Sequence, residues 1–257
     1  MKNSFFDIVV KKMQKYNNSV IDWEKIKQII SRILGEDFSN HKVYKMVYYL
    51  KNRWYLQSLK KNIYFVKNPD SYYSEDWLID TTYWKLLKTH CQSYLMKDWY
   101  IGGVKALEIH MQSYAIPDEI LIVNAHKQAT EVVMFDKKML CKMYRSKDKN
   151  IFRQCKKFTT SHLVSGVRFP IASLELAILE SLYNPSIVQK DYIIAMIKKA
   201  LKKYKTTLDY TIRQKLLTFN KHHSSVNRLY KIADDVDPDL HTILKNIIKR
   251  YSYFISE

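Results

Sequence analysis

The residues best spaced for catalysis lie between positions 100 and 123. Gly102-Gly103 precede a predicted helix, and Asp118 precedes a predicted strand. A glycine turn at a helix start can hold a triphosphate, and two carboxylates spaced as D-x-D can bind the metal for nucleotidyl transfer. Ile120 occupies the place of the second carboxylate, so we expect Gly102-Gly103 to form a tight turn with a structural role. The alternative to this structural role is a nucleotidyltransferase-like enzyme that uses Gly102, Gly103 and Asp118.

Histidines and nucleophiles elsewhere lack the spacing of a site. His110 and His126 have no ligand partners at metal spacing, and His222-His223 fall in a predicted polar turn on a basic face. No serine or cysteine has a nucleophile context such as G-x-S-x-G. We therefore expect no enzymatic activity, and we expect neither a metal nor a cofactor.

Cysteine usage and hydropathy predict the compartment. Cys91, Cys141 and Cys155 are odd in number and show no C-x-x-C spacing, so they predict neither a disulfide frame nor a zinc site. Residues 1–16 lack the apolar run of a signal peptide, and no window approaches the roughly 20 apolar residues that span a bilayer. These observations predict a cytoplasmic protein with reduced thiols and no membrane partner.

Composition predicts a folded and mostly helical chain. Its 257 residues are enough for two domains, and a hydrophobic share of 47% supplies packed cores. Only 4 Gly and 5 Pro leave few turns for an all-β design. We therefore expect an α+β fold in which helices predominate.

Residues 1–68 begin with two predicted helices. Apolar residues recur at spacings of three and four within residues 3–16, which predicts an amphipathic helix. Asp22 can cap a second helix, and Gly35 stands where a positive φ usually ends one. The isoleucines of this second helix share one face: Ile26, Ile29, Ile30 and Ile33.

A third predicted helix and a hairpin follow. The helix starts near Ser39 or Asn40, and its inward face carries Val43, Met46, Val47 and Leu50. Residues 54–66 alternate around Lys60-Lys61-Asn62, a pattern typical of a β-hairpin with a basic tip. This order of helices and hairpin predicts an N-terminal winged helix-turn-helix.

The outward side chains of this unit suit double-stranded DNA. A helix fits the major groove, where polar side chains read base edges, and a basic hairpin tip can hold phosphates. The predicted base readers are Asn40, His41, Lys42, Tyr44 and Lys45, and the predicted phosphate contacts are Lys51, Arg53, Lys60 and Lys61. The alternative is a protein-docking adaptor, in which Tyr44 and Tyr48 are partly buried packing residues and the lysines only solvate the helix.

The sequence of the remaining chain predicts two further parts. After a linker, we expect residues 69–189 to form an α+β effector domain and residues 190–257 to form a basic helical subdomain packed on it. Lys plus Arg outnumber Asp plus Glu by 14 to 5 in residues 1–68, by 15 to 13 in 69–189, and by 14 to 7 in 190–257. Basic excess at both ends suits a polyanion, although a solvated lysine-rich surface explains it equally well.

Three stretches lie in order along residues 40–186 and read NRWYLQSLKKNIYFV, WYIGGVKALEIHMQSYAIPDEILIVN and VRFPIASLELAILESLYNPS. Together they resemble the AbiEi antitoxin family of type IV, abortive-infection toxin-antitoxin systems. The resemblance implies an N-terminal DNA-binding domain that represses its own operon. It also implies a C-terminal domain that counteracts a nucleotidyltransferase-like toxin, so that the partners are promoter DNA and a cognate toxin.

The hairpin departs from that family at one position. The family usually has a glycine before the aromatic pair of the hairpin. This chain has no glycine there and reads Lys60-Lys61-Asn62-Ile63-Tyr64 instead. Asn tolerates positive φ best among residues other than Gly. We therefore expect Asn62 to take the positive-φ position of the turn.

Overall fold

The chain folds into an α+β structure in which helices predominate, as expected from the sequence. The computed structural model describes residues 4–35, 39–125, 130–134, 139–145, 149–183, 190–208, 215–218 and 222–251. The chain divides into two compact units. The first comprises residues 1–96 with 133–139, and the second comprises residues 97–132 with 140–257.

The first unit has the topology of a winged helix-turn-helix. Its elements are α1 (Phe5–Met13), a 3₁₀ turn (Gln14–Tyr16), β1 (Ser19–Asp22), α2 (Trp23–Leu34), α3 (Asn40–Asn52), β2 (Leu56–Lys60), β3 (Ile63–Val66) and α4 (Glu75–Leu95). The three strands form an antiparallel sheet in the order β1-β3-β2. The predicted order of helices and hairpin is therefore confirmed.

The ends of these helices are set by the residues that the sequence indicated. The Asp22 carboxylate accepts a hydrogen bond from the Lys25 N–H at 2.8 Å and caps α2. Gly35 ends α2 with φ +56°. Ser39 caps α3 by accepting from the Lys42 N–H at 3.3 Å. Each cap satisfies a backbone donor that the first turn of a helix cannot bond internally.

The core of the first unit lies between α1, α2 and α3. All four inward residues predicted for α3 are buried there against Val9, Met13, Ile26 and Ile30. Ile29 and Ile33 are only half-buried at its margin. Burial of such side chains contributes about 1.5 to 3 kcal/mol each, which fixes α3 on its inner face and leaves the opposite face to solvent.

The boundary expected near residue 68 lies instead at Met96. The reason is that α4 packs on β1 and β3 of the N-terminal sheet. Phe65 of β3 meets the rings of Tyr73 and Trp77 edge to face, with centroid distances of 5.4 and 6.2 Å. The Tyr73 hydroxyl also donates to Asn18 Oδ1 at 2.9 Å, so the predicted linker belongs to the first unit.

The second unit combines a mixed sheet with helices. Its elements continue as β4 (Trp99–Gly102), α5 (Gly103–His110), β5 (Glu119–Asn124), β6 (Thr130–Met134), β7 (Met139–Arg145), α6 (Lys149–Lys156), β8 (Thr159–Val164), β9 (Val167–Ala172), α7 (Leu174–Ser181), α8 (Lys190–Lys203), α9 (His223–Ala233) and α10 (Pro238–Arg250). The strand order is β6-β7-β5-β4-β9-β8. The central β4 runs antiparallel to β5 and parallel to β9.

Helices surround this sheet and bring the basic C-terminal residues into the second unit. α5 packs on α7, and α8 and α9 pack on α5 and α7 respectively. The last helix starts at Pro238, and Asp237 caps it by accepting from the Leu240 N–H at 3.1 Å. Cys91 of α4 and Cys155 of α6 are buried thiols, whereas the side chain of Cys141 lies outside the described residues. Within the described ranges, no helix combines the length and apolarity needed to cross a bilayer.

A tryptophan ends α3 in a conformation that usually belongs to glycine. The Tyr55 N–H donates to Leu50 O at 2.9 Å, and the Trp54 N–H donates to Lys51 O at 3.1 Å. These two bonds form a Schellman motif, and Trp54 has φ +63° at its left-handed position. The indole is 68% exposed, and the Lys67 ammonium lies 5.3 Å from its ring centroid. Trp54 is therefore held under backbone strain without the compensation of burial.

We expect Trp54→Gly to be more stable than Trp54→Ala by about 1 kcal/mol. Both variants remove the indole and its contact with Lys67, so they differ only in tolerance of positive φ. The measurement is the free energy of chemical unfolding. Lys51→Gly and Lys51→Ala, at an exposed position inside α3, provide the control and should show the opposite order. Equal stability of the two Trp54 variants would contradict the strain.

Candidate nucleic-acid interface

The exposed side of α3 carries most of the residues predicted to contact DNA. All six predicted residues of this helix are exposed. Together with Tyr48, which is also exposed, they define the outer face of α3: Asn40, His41, Lys42, Tyr44, Lys45, Tyr48 and Lys51. Asp and Glu are absent from α3. The outer face therefore combines positive charge, hydrogen-bonding groups and aromatic rings with no carboxylate on the same helix.

Tyr44 and Tyr48, which the adaptor alternative treats as partly buried packing residues, are mostly exposed but each contacts a neighbouring ring. Each is 61% exposed. The Tyr44 ring stacks on Trp23, the first residue of α2, with centroids 4.4 Å apart and planes inclined by 26°. Tyr48 lies edge to face with Tyr49 at 5.9 Å. One side of each ring is therefore supported, and much of its surface remains open to solvent.

The β2–β3 turn has the conformation expected from its sequence. Asn62 has φ +62°, which confirms that it takes the positive-φ position. Ser58 pairs with Tyr64 and Lys60 pairs with Ile63, so a bulge interrupts the register between them. In the turn Lys61 is exposed, and Lys60 at the end of β2 is half-buried.

Trp23 also connects the turn to the start of α2. Its backbone N–H donates to Asn62 O at 2.8 Å, while its ring supports Tyr44. Burial raises the pKa of Tyr64 in β3, and the neighbouring Tyr44 hydroxyl raises it further. The structure thus brings the wing turn and the first half of α3 together around Trp23.

Arg53, a predicted phosphate contact, lies at the C-terminal end of α3 beside an aromatic ring of α1. It forms the C-cap of α3, and its guanidinium lies 4.4 Å from the centroid of the Phe6 ring in α1. A cation–π contact of this kind contributes about 0.5 to 1 kcal/mol at an exposed site. The structure therefore places Arg53 against α1, at the opposite end of α3 from Asn40.

In the second unit, a carboxylate occupies the glycine turn that suggested triphosphate binding. Glu180 of α7 accepts from the Gly103 N–H at 3.0 Å and from the Tyr100 hydroxyl at 2.7 Å. A Cβ on Gly102 would overlap Glu180 Oε2. Gly103 has φ +59°, so both glycines have a structural reason. The positive N-terminus of α5 receives its negative charge from this chain.

Tyr100 is suited to donate to that carboxylate. Burial raises the pKa of the Tyr100 hydroxyl well above its ordinary value, and the charge of Glu180 raises it further. The hydroxyl therefore keeps its proton at neutral pH and remains a donor. The bond joins β4 to α7 inside the second unit.

Asp118, which precedes β5, and Glu119, its first residue, do not bond this turn in the way that Glu180 does. Asp118 and Glu119 are exposed, and Ile120 is buried in the sheet. Within the part of the chain that the structure describes, no group of three or more His, Cys, Asp or Glu could hold a metal ion. The geometry thus gives Gly102 and Gly103 a carboxylate from α7 and leaves Asp118 at the surface.

His110 has the contacts of a structural histidine, whereas the prediction for His222 was wrong. The His110 ring lies 2.8 Å from Ala172 O and edge to face with His162 at 4.8 Å. Burial lowers the pKa of His110 and so favours the neutral ring. His222, which we expected on a solvated basic face, is buried. His126 lies outside the described residues.

Sequence reasoning missed a buried ammonium group. Lys105 of α5 is 3% exposed and pairs with Glu108 at 2.7 Å. It also donates to Ala115 O at 2.6 Å, which ties the segment after α5 to the helix. The Tyr192 hydroxyl of α8 donates to Glu108 at 2.9 Å; partial burial, and then this bond, raise its pKa to about 12. The i,i+3 spacing of Lys105 and Glu108 was the available signal.

Comparison with known proteins identifies the fold. No family model matches the chain, and no curated protein matches its sequence. The structure is similar to the crystal structure of the RV2827C protein from Mycobacterium tuberculosis, with a TM-score of 0.63 and 12% sequence identity. The similarity covers 95% of this chain and 81% of that chain. At this identity it shows a shared fold and nothing more.

We expect Gly102 and Glu180 to be energetically coupled. Glu180→Ala should lower the free energy of unfolding by about 1 to 3 kcal/mol, because the Tyr100 hydroxyl and Gly103 N–H lose an acceptor. Gly102→Ala should be destabilising in the parent chain and less so in the Glu180→Ala background, where the overlapping carboxylate is gone. Chemical unfolding of the four proteins measures a coupling of about 1 kcal/mol.

Gly166→Ala supplies the matched control for that cycle. Gly166 has positive φ, unlike Gly102, but no atom lies within 4 Å of its added Cβ, so its substitution costs backbone strain without a steric overlap. The loss of unfolding free energy caused by Gly166→Ala should therefore add to the loss caused by Glu180→Ala. If the losses caused by Gly102→Ala and Glu180→Ala were also additive, Glu180 would not explain the glycine at position 102.

Proposed function

We propose that the chain is a DNA-binding transcriptional repressor and antitoxin of a type IV, abortive-infection toxin-antitoxin system. In this function the first unit binds double-stranded DNA at its own promoter, and the second counteracts a nucleotidyltransferase-like toxin in the cytoplasm. The observation that carries the DNA-binding half is the outer face of α3, which is exposed, positively charged and free of carboxylates.

The geometry of the first unit supports major-groove binding. An α-helix can enter the groove with its exposed side chains towards the bases, and every residue of the outer face of α3 is exposed. Lys42 and Lys45 lie in its first half, where winged-helix and related proteins contact bases and nearby phosphates. Lys61 in the wing turn supplies a further positive charge close to α2. These groups favour a polyanion as the partner.

The antitoxin half rests on the resemblance to the AbiEi family. Of the three resembling stretches, one contains β4, α5 and β5, and another contains β9 and α7. They meet where Glu180 bonds Tyr100 and Gly103. The stretches that carry the resemblance therefore belong to one continuous part of the second unit, as a shared structural role would require.

The arrangement around Glu180 also supports a role without catalysis. A triphosphate at the N-terminus of α5 would have to displace a carboxylate that already bonds the Gly103 N–H. Asp118 is exposed and has Ile120, a buried apolar residue, at the position of its missing partner. We accordingly propose that the second unit acts by binding the toxin.

We expect Lys42→Ala combined with Lys45→Ala to weaken binding to all DNA sequences. Lys42 and Lys45 are predicted base readers, but their ammonium groups also neutralise phosphates at the edges of the groove. Loss of both charges should therefore reduce the slope of log affinity against log salt by up to about two, because each neutralised phosphate releases close to one counterion. Fluorescence anisotropy with the chain's own upstream DNA at several salt concentrations measures this slope. Lys11→Ala combined with Lys12→Ala removes the same charge from exposed positions of α1 and should change it less. Equal slopes in parent and Lys42/Lys45 variant would exclude these two contacts.

The two proposed roles should separate in the intact chain. The Lys42→Ala, Lys45→Ala variant should lose repression of a reporter behind its own promoter, because DNA affinity falls. It should still protect cells that express the toxin encoded beside it, because the second unit is unchanged. Reporter activity and growth are measured at matched protein levels. Loss of protection together with repression would contradict the division of roles between the units.

A further inference from the structure

The outer face of α3 presents two aromatic rings one helical turn apart. Tyr44 and Tyr48 are spaced i and i+4, so they lie on the same side of the helix. Each remains 61% exposed although large apolar surfaces favour burial. They stand between charged and polar neighbours, outside the core of the first unit. A pair of exposed rings in such a setting marks a contact surface.

Both rings are held in place before any partner binds. Stacking on Trp23 at 4.4 Å fixes Tyr44, and Trp23 is itself fixed by its N–H bond to Asn62 O. The edge-to-face contact with Tyr49 at 5.9 Å restricts Tyr48. A side chain that is already ordered loses less conformational entropy on binding. The two rings therefore form a preorganised apolar surface.

Charge identifies the partner that would cover this surface. Lys42, Lys45 and Lys51 lie on the outer face with the two tyrosines, and α3 contains no acidic residue. The partner must then offer both negative charge and an apolar group within reach of a helix. In the major groove of DNA, phosphates line both edges, and the C5 methyl of thymine is the apolar group on the base edges.

The other residues of the helix favour the same bases. Arginine, the commonest reader of guanine, is absent from α3. Arg53, which follows the helix, has its guanidinium 4.4 Å from the centroid of the Phe6 ring. Asn40 at the start of α3 is exposed, and asparagine suits the donor and acceptor pattern of adenine. The outer face thus has groups for both bases of an A·T pair.

We infer that Tyr44 and Tyr48 read thymine methyl groups in the major groove, so that the site preferred by this chain contains thymines at the positions these rings contact. This assignment rests on the DNA-binding function proposed above. It adds a base class, a chemical group on that base, and Tyr48 as a further specificity residue.

The test replaces thymine by uracil, which keeps base pairing and removes only the C5 methyl. A preferred duplex is first selected from randomised DNA with the full chain, and affinities are then measured by fluorescence anisotropy with one substitution at a time. Loss of one buried methyl should weaken binding about fourfold at the contacted positions. Tyr48→Ala and Tyr44→Ala should each abolish this difference at the position that the ring contacts.

Conservative variants separate the ring from the hydroxyl. Tyr44→Phe and Tyr48→Phe keep the ring surface and should keep the thymine-to-uracil difference. Loss of the thymine-to-uracil difference in the Phe variants would overturn the inference. So would a second result, in which the Phe variants weaken binding to every duplex equally while the Ala variants retain the difference, because the hydroxyls would then act on phosphates. Thermal unfolding and affinity for unrelated DNA show that each variant is folded, and Tyr44→Phe retains a ring to stack on Trp23.

The remaining outcomes distinguish this inference from the function beneath it. Tight binding to a selected duplex with no effect of uracil at any thymine overturns methyl reading and leaves DNA binding intact. Failure to bind any duplex above the affinity for poly-L-glutamate at the same salt overturns both, and would identify the outer face as a surface for acidic proteins.

Discussion

Trp23 is the residue on which the proposed interface depends. Its ring supports Tyr44 of α3, and its backbone N–H bonds the Asn62 carbonyl of the wing turn. Trp23 therefore connects α3 and the wing turn to the start of α2, while the buried core between α1, α2 and α3 holds the helices together. Because the Asp22 cap sets where α2 begins, one local hydrogen bond also determines where the indole lies. The position of the exposed groups thus follows from capping, stacking and one backbone bond.

The second unit shows how a charge requirement can be met within a chain. A helix that begins at two glycines presents backbone donors and positive potential at its first turn. In a nucleotide-binding protein a phosphate satisfies them, whereas here Glu180 of α7 does so. The same carboxylate accepts from buried Tyr100, so β4, α5 and α7 share it. A glycine pair before a helix therefore indicates an anion and does not by itself say which one.

Local rules predicted the first unit well, and non-local packing limited the rest. Helical spacing identified the buried face of α3, and the special tolerance of Asn for positive φ identified Asn62. The boundary was misplaced because Tyr73 and Trp77 lie in a polar segment whose contact with Phe65 no local pattern reveals. Strand β9 is hard to identify from a local pattern for a different reason, because it contains Pro170 and proline usually interrupts a strand. The nine residues proposed to contact DNA came from the sequence, whereas the support of Tyr44 by Trp23 required the structure.

The separation of the two faces of α3 has a consequence for divergence among related chains. Residues that hold the helix in place are buried, and residues that would select a DNA sequence are exposed on the opposite side. Exposed substitutions usually change stability by less than about 0.5 kcal/mol. Most of the outer face can therefore mutate toward a new operator without unfolding the unit. Tyr44 is the exception: because it stacks on Trp23, a new residue there must also be compatible with the neighbouring helix. Evolution of a new target should accordingly proceed through Asn40, His41, Lys45 and Tyr48 before it reaches Tyr44.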